Sequence, residues 1–453
     1  MPTLIRLYWD RLRSSFWFLP TGMAITAAAL AFALVAVDRS TPTDWLLDQA
    51  WVYTGGADGA SAVLQTIAGS MITIAGVVFS LTLVALSLAS SQFGPRLLRN
   101  FMRDTTNQVV LGTFVSTFLY CLLVLRTIRH DTEALFVPHV AVTFGLVFAL
   151  ASLWVLIYFI HHVSTSIQAD SVIARVAHDL TDALEEQFPV VRTITDTAPA
   201  EARLDATTLG EQARASLPLP ATRAGYLLWA DLDRLVDLAA SHDLVLQGQR
   251  RIGQYVLEGG VLLLVHPGHR LSGDLTRDLH ECFRFGEQRS DVQDVEFAVR
   301  QLVEVAVRAL SPGVNDPFTA IACVDRLGAS LGRLARRPMP SGIHLDPARQ
   351  VRLVMPVTDF GDMVDAALNQ IRQHARTDVA VTIRMLEVIA QVGALADRQA
   401  DRAVLTRHAD MIVAGAEAAL PEPADRATVR QRHAVAIQAL QRGEVTERTA
   451  AGS

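Results

Sequence analysis

The most ordered polar chemistry in this chain lies on an uncharged stretch. Thr66, Ser70, Thr73, Val77, Ser80, Val84, Ser87 and Ser91 step by four and three alternately, so on a helix they share one face, and six of the eight carry a hydroxyl. Residues 61–93 contain no charged side chain. About 20 apolar residues cross a bilayer, and ~1.5 Å of rise per residue gives this stretch length to spare. Hydroxyls on such a helix do one of two things. They bond a neighbouring helix, where Ala68, Gly69, Ala75, Gly76 and Ala89 permit close approach. Alternatively they line a wetted conduit in an oligomer, meeting water or ions. Ion-coupled pumps place Asp, Glu or His in the membrane as relays; this stretch has none, which argues against a proton-driven transporter. The run stops at Gly94-Pro95 and meets Arg96, Arg99 and Arg103, positioned for the cytoplasmic mouth of such a conduit.

A second polar concentration spans residues 286–320. It holds Glu287, Arg289, Asp291, Asp294, Glu296, Arg300, Glu304 and Arg308, then SPGVNDPFTA with Asn315 and Asp316. Glu296–Arg300 and Glu304–Arg308 are i,i+4 pairs in the favoured order, the pattern of a solvated, salt-bridged helix face. The functional version has Arg289, Arg300 and Arg308 holding an anion or a lipid headgroup. A hydrolase needs a serine beside a base and an oriented acid, but Ser311 sits in no GxSxG elbow and no particular histidine is indicated. HExxH, EF-hand and kinase signatures are missing too, so no catalytic residue is assigned. All 40 basic residues are arginine, which rules out a Walker A lysine and a Schiff-base lysine. The adjacent His161 and His162 point about 100° apart on a helix and cannot chelate one ion together. His266 and His269 have a usable spacing but no third ligand nearby, and Cys121, Cys282 and Cys323 form no CxxC. Neither a metal nor a cofactor is expected.

The elements that must position these residues follow from hydropathy. The chain has 453 residues, a net charge of −6 and 51% apolar residues, with the apolar excess in the first 165. Spans are predicted at residues 14–37, 61–93, 109–125 and 136–160, with Trp17, Trp154 and Tyr158 placed at interfaces. The first is too long for a signal peptide and is followed by three more spans. A connecting helix follows over 164–190, then a small, mostly β module over 191–270 resembling a compact barrel with one helix. In that module Glu258-Gly259-Gly260 reads as a hairpin turn. Residues 271–442 read as helical, with Asp316 and Pro317 starting one helix, and 443–453 as a disordered tail. The fold class is therefore a four-helix membrane protein with a C-terminal soluble α/β domain, helix-rich with a small β module. Three arginines precede the first span and three lie in loop 94–106, against one and two in the opposite loops. That bias predicts cytoplasmic N- and C-termini.

VVFSLTLVALSLASSQFGPRLLRNF in the second span and VEVAVRALSPGVNDPFTA in the later helices carry a resemblance. The chain resembles, over nearly its whole length, a bacterial family of predicted integral membrane proteins of unknown function. The resemblance implies an inner-membrane protein of this layout and supplies no activity or cofactor. The expectation is an oligomeric channel or channel-like protein lined by Thr66, Ser70, Thr73, Ser80, Ser87 and Ser91. Its expected partners are the lipid bilayer, further copies of itself and a small ion or anion, with no nucleic acid. The alternative is a non-conducting scaffold or sensor whose cytosolic domain binds a ligand or partner, with those hydroxyls buried within one subunit. A third, enzymatic reading predicts one pocket holding Arg289, Asp294 and Asn315.

Overall fold

The computed structural model describes residues 17–40, 52–94, 105–129, 136–166, 168–189, 216–290 and 293–450. The chain forms two compact units, one ending at Ser171 and the other beginning at Val172.

The first unit holds α1 (Phe18–Ser40), α2 (Ala57–Phe93), α3 (Thr105–Leu125) and α4 (His139–Ser166). All four helices are long and apolar enough to cross a membrane. α2 starts a turn before the charge-free stretch, with Asp58 in its first turn, where the helix dipole favours an acid. α3 is central: it packs on α1, α2 and α4, burying Val110, Phe114, Tyr120, Cys121 and Val124. A Cβ at Gly112 would fall 2.6 Å from Met23 Sδ and 3.2 Å from Pro20 Cα, so this glycine sets how closely α1 and α3 approach. Two polar contacts in the interior join α3 to α4, satisfying groups that an apolar solvent cannot. Tyr120 Oη donates to the Ala141 carbonyl at 2.8 Å, and the Thr117 and Ser152 hydroxyls meet at 3.2 Å. At one end Asp38, near the C-terminus of α1, accepts the Val140 and Ala141 amides at 3.1 and 3.0 Å and so caps α4 from another helix.

Most of α5 (Ala169–Gln187) belongs to the second unit. Arg337 Nη1 donates to the Leu184 and Phe188 carbonyls at 3.0 and 2.7 Å, closing the end of α5. Then come β1 (Leu217–Pro220), β2 (Gly225–Ala230), α6 (Leu232–Ser241), β3 (Val245–Gly248), β4 (Tyr255–Val256) and β5 (Val261–His266). α7 (Gly273–Glu281) and β6 (Phe283–Gly286) follow. The hairpin and barrel expectations fail here. β4 pairs with β2 in a three-stranded sheet of order β4-β2-β6, whereas β5 lies between β1 and β3 in a second sheet. The physical reason is at the turn itself: Ala221, just after β1, accepts from Gly259 N and donates to Gly260 O, at 2.9 and 2.8 Å. The turn is thereby tied to β1, and the chain passes from one sheet to the other. Two distant strands, β7 (Ile343–Leu345) and β8 (Val351–Val354), complete the larger sheet as β1-β5-β3-β8-β7, with β8 parallel to β3 and Leu353 opposite Leu246. Pro218 and Pro220 lie on its edge strand β1, where missing N–H donors cost least.

The remaining helices are α8 (Val295–Ala309), α9 (Pro317–Ala335), α10 (Phe360–Ala375), α11 (Val379–Gly393), α12 (Gln399–Ala419) and α13 (Pro423–Ala450). Asp231, Ser272, Asp294, Asp316, Asp359 and Asp378 each cap the helix that follows through a side-chain oxygen. α8 packs on α9 and α10, and α11 packs on α9, α12 and α13.

Candidate functional site

α2 has two opposite sides. Ala57, Ala60, Leu64, Ala68, Met71, Ala75 and Val78 are buried against the bundle, whereas Thr66, Ser70, Thr73, Ser80, Ser87 and Ser91 are exposed, as are Val77 and Val84 between them. The small-residue stripe is split: Ala68, Ala75 and Ala89 are buried, while Gly69 and Gly76 have open space around them. Thr66, Ser70 and Thr73 donate to the carbonyls four residues back at 2.7, 2.7 and 2.9 Å, and Ser91 to Leu88 O at 2.8 Å. Each of these donors is therefore satisfied within α2. The burial within one subunit that the scaffold reading requires is not what α2 displays. Arg96, Arg99 and Arg103 lie outside the described residues.

The polar cluster of the second unit divides between the ends of α8. At its start Asp294, 5% exposed, receives Arg289 Nε and Nη2 at 2.7 and 2.8 Å and the Phe297 amide at 3.1 Å. Burial pushes the Asp294 carboxyl above its ordinary range, against the pull of Arg289. Arg300 pairs with Glu296 one turn away, Nε to Oε1 at 2.7 Å, as the i,i+4 spacing predicts. Arg308 is in the last turn of α8. Asn315 and Asp316 follow that end; Asp316 accepts Thr319 N and Oγ1 at 3.1 and 2.6 Å, while Asn315 takes φ +50° in the turn. With 15 residues in α8, about 22 Å of helix separates the two groups, so Arg289, Asp294 and Asn315 share no pocket. His266 ends β5 and His269 sits in the turn after it; Tyr158 stacks on His162 at 5.9 Å.

A cleft of about 280 Å³ that the sequence did not announce opens in the second unit, with Gln187, Phe188, Arg251, Asp294, His344 and Thr358 in its wall. Gln187 Nε2 is buried there without a hydrogen-bond partner, and Arg251 is paired with Asp362. These residues come from α5, from loops and from β7, so no local spacing could have grouped them.

The chain thus joins a transmembrane unit of four apolar helices to a helix-rich unit with two small sheets. The family described as predicted membrane protein (DUF2254) matches residues 13–391. The chain belongs to that family. Within DUF2254 it is similar to an uncharacterized protein of Mycobacterium tuberculosis (strain ATCC 25618 / H37Rv), 33% identical over 440 residues, 96% of this chain and 82% of the relative. An uncharacterized protein of Mycobacterium bovis matches with the same identity and coverage. No solved structure matches the chain. A DUF2254 protein with four apolar helices sits in a lipid bilayer.

Proposed function

We propose that this DUF2254 protein is an oligomeric channel or channel-like protein of the bacterial inner (plasma) membrane, with both termini cytoplasmic. The observation that carries this reading is the outward hydroxyl face of α2. Phe114, Tyr120, Cys121, Val124, Ala141 and Val142 are buried inside the four-helix unit, and its cavity of about 650 Å³ lies among α1, α3 and α4 and has no α2 residue in its wall, so the α2 hydroxyls line no space within one subunit. A conduit then requires α2 repeated around a symmetry axis, its hydroxyls turned to water. Arg96, Arg99 and Arg103 would ring the cytoplasmic mouth, a charge arrangement that suits a small anion. The second unit would assemble or gate the ring.

Single-channel recording of purified protein in planar bilayers, with Ser80→Leu beside wild type, tests the assignment. The expected result is a unitary conductance that Ser80→Leu abolishes or alters. Silence from well-folded wild type under both polarities overturns it. A second reading, a membrane sensor, draws support from the cleft at Gln187, since that residue ends the helix directly following the last membrane helix.

A further inference from the structure

In the second unit, Phe318 is 81% exposed at the start of α9 and Val314 in the preceding turn 49%. An aromatic side chain buries 150–250 Å² when covered, so this knob is a large unspent apolar surface. Phe318, Ala322, Asp325, Ala329, Gly332 and Arg336 recur at helical spacing and share one face of α9. Farther along that face a groove of about 270 Å³ opens between α9 and α11, with Gly328, Ala329, Gly332, Val388, Val392 and Leu395 in its wall. An apolar cavity of ~150 Å³ accommodates benzene, so the groove has room for one phenyl ring. Gly328 also serves its own chain, since a Cβ there would meet Val388 Cγ1 at 2.4 Å.

The charges repeat the asymmetry. Arg333 and Arg336 are exposed at the groove end and make no ion pair among the described residues. Asp325, midway, is neutralised by Arg384 at 2.5 Å. Asp316 marks the Phe318 end. Turned end for end, the face complements itself: knob meets groove, acid meets arginine, and the positive N-terminal end of one helix lies beside the negative C-terminal end of the other. Self-complementarity under a two-fold rotation is the mark of an isologous interface.

We propose that a second copy of this chain docks antiparallel on α9, with Phe318 of each copy seated in the α9–α11 groove of the other and Asp316 facing Arg333 of the second copy. The pairing supplies one contact of the oligomer that the channel reading requires, and it is tested apart from conduction.

The experiment uses full-length protein in detergent carrying Phe318→Cys and Ala329→Cys together. About 16 Å of helix separates these positions within one chain, beyond the 4.4–6.8 Å Cα separation of a disulfide. Cys121, Cys282 and Cys323 are buried and give no background. Mild oxidation should give a disulfide-linked dimer from the double variant and from neither single variant. In native mass spectrometry, Phe318→Asp should weaken self-association ~100-fold, about tenfold for each of the two Phe318 seats. A double variant that keeps the wild-type circular dichroism yet does not cross-link overturns the proposal. So does an oligomer mass indifferent to Phe318→Asp, which would leave Phe318 to the membrane surface or to its own chain. Cross-linking without conductance keeps this pairing and sinks the channel; conductance without cross-linking does the reverse.

Discussion

Replacing Gly253 by alanine should unlatch the start of α8. Gly253 has φ +85°, in the left-handed region that residues with a Cβ adopt at a penalty of about 1–2 kcal/mol. A Cβ there would also lie 2.1 Å from Asp294 Oδ2 and 2.8 Å from Arg289 Nη2. Asp294 cannot retreat freely, because it holds two bonds from Arg289 and one from the Phe297 amide while almost fully buried. Moving it sacrifices a helix cap, about 1 kcal/mol, and a charge-assisted hydrogen bond, about 1.5–3 kcal/mol. With the φ penalty, the loss comes to about 4–6 kcal/mol. Gly259→Ala is the control: its φ is +78°, but nothing lies within 4 Å of the added Cβ, so only the ~1–2 kcal/mol of backbone strain applies. Hydrogen exchange followed by mass spectrometry on the intact protein reads the local opening free energy of peptides covering residues 225–262 and 283–300. Equal losses in the two variants, within about 1 kcal/mol, would refute the claim that contact with Asp294, rather than φ, makes Gly253 irreplaceable.

Two further outcomes follow from polar groups that bond between helices. His408 on α12 is fully buried, with Nε2 2.7 Å from Asp365 Oδ1 on α10 and Nδ1 without a hydrogen-bond partner. Burial pushes its pKa below the ordinary histidine value; Asp365 pulls the other way, while Arg407 and Arg372 add to the depression. The unfolded chain therefore binds the proton first, so His408's contribution is complete above pH ~6.5 and is lost as pH falls below it, by up to ~1.4 kcal/mol per pH unit. Thermal melts at pH 8 and pH 5 should show this loss in wild type and a smaller one in His408→Gln; equal pH sensitivity would assign the effect to other groups. In the first unit, Asp38→Ala removes both side-chain bonds to the first amides of α4 and should cost about 2 kcal/mol. The check is faster exchange at the start of α4, and unchanged protection there would show that the cap is dispensable.

Much of this architecture is written in local sequence. Charge-free runs announce the spans because the bilayer tolerates little else, and Asp231, Asp316 with Pro317, and the Glu296–Arg300 pair act within one turn of themselves. What local pattern could not supply is pairing at a distance. The turn at Gly259 looks like a hairpin until Ala221 claims its backbone, and β8 reaches β3 across about 100 residues of chain. Asp38 reads as an ordinary loop acid until α4 places two amides against it. The same limit governs the polar stretch at 286–320, whose residues are close in sequence yet end up at opposite ends of a rigid helix.

The hydroxyls of α2 show where such reasoning needs three dimensions. Periodicity put them on one face, but only packing decides whether that face looks inward or outward, and the buried alanines on the far side decide for outward. If the whole exposed surface of α2 met lipid, the hydroxyls would gain nothing there, since each methylene moved from water to an apolar setting contributes about 0.8 kcal/mol and a hydroxyl forfeits that. Elsewhere on its exposed surface α2 does carry Ile72, Phe79 and Leu83. The contrast lies within a single helix, under one hydrophobic solvent, and it divides the surface into an aliphatic part suited to acyl chains and a hydroxyl part that is not. A hydroxyl whose donor is spent on its own helix still offers an oxygen acceptor. Such a row, turned toward copies of itself, gives water or ions something to bind, and it gives nothing to a lipid tail.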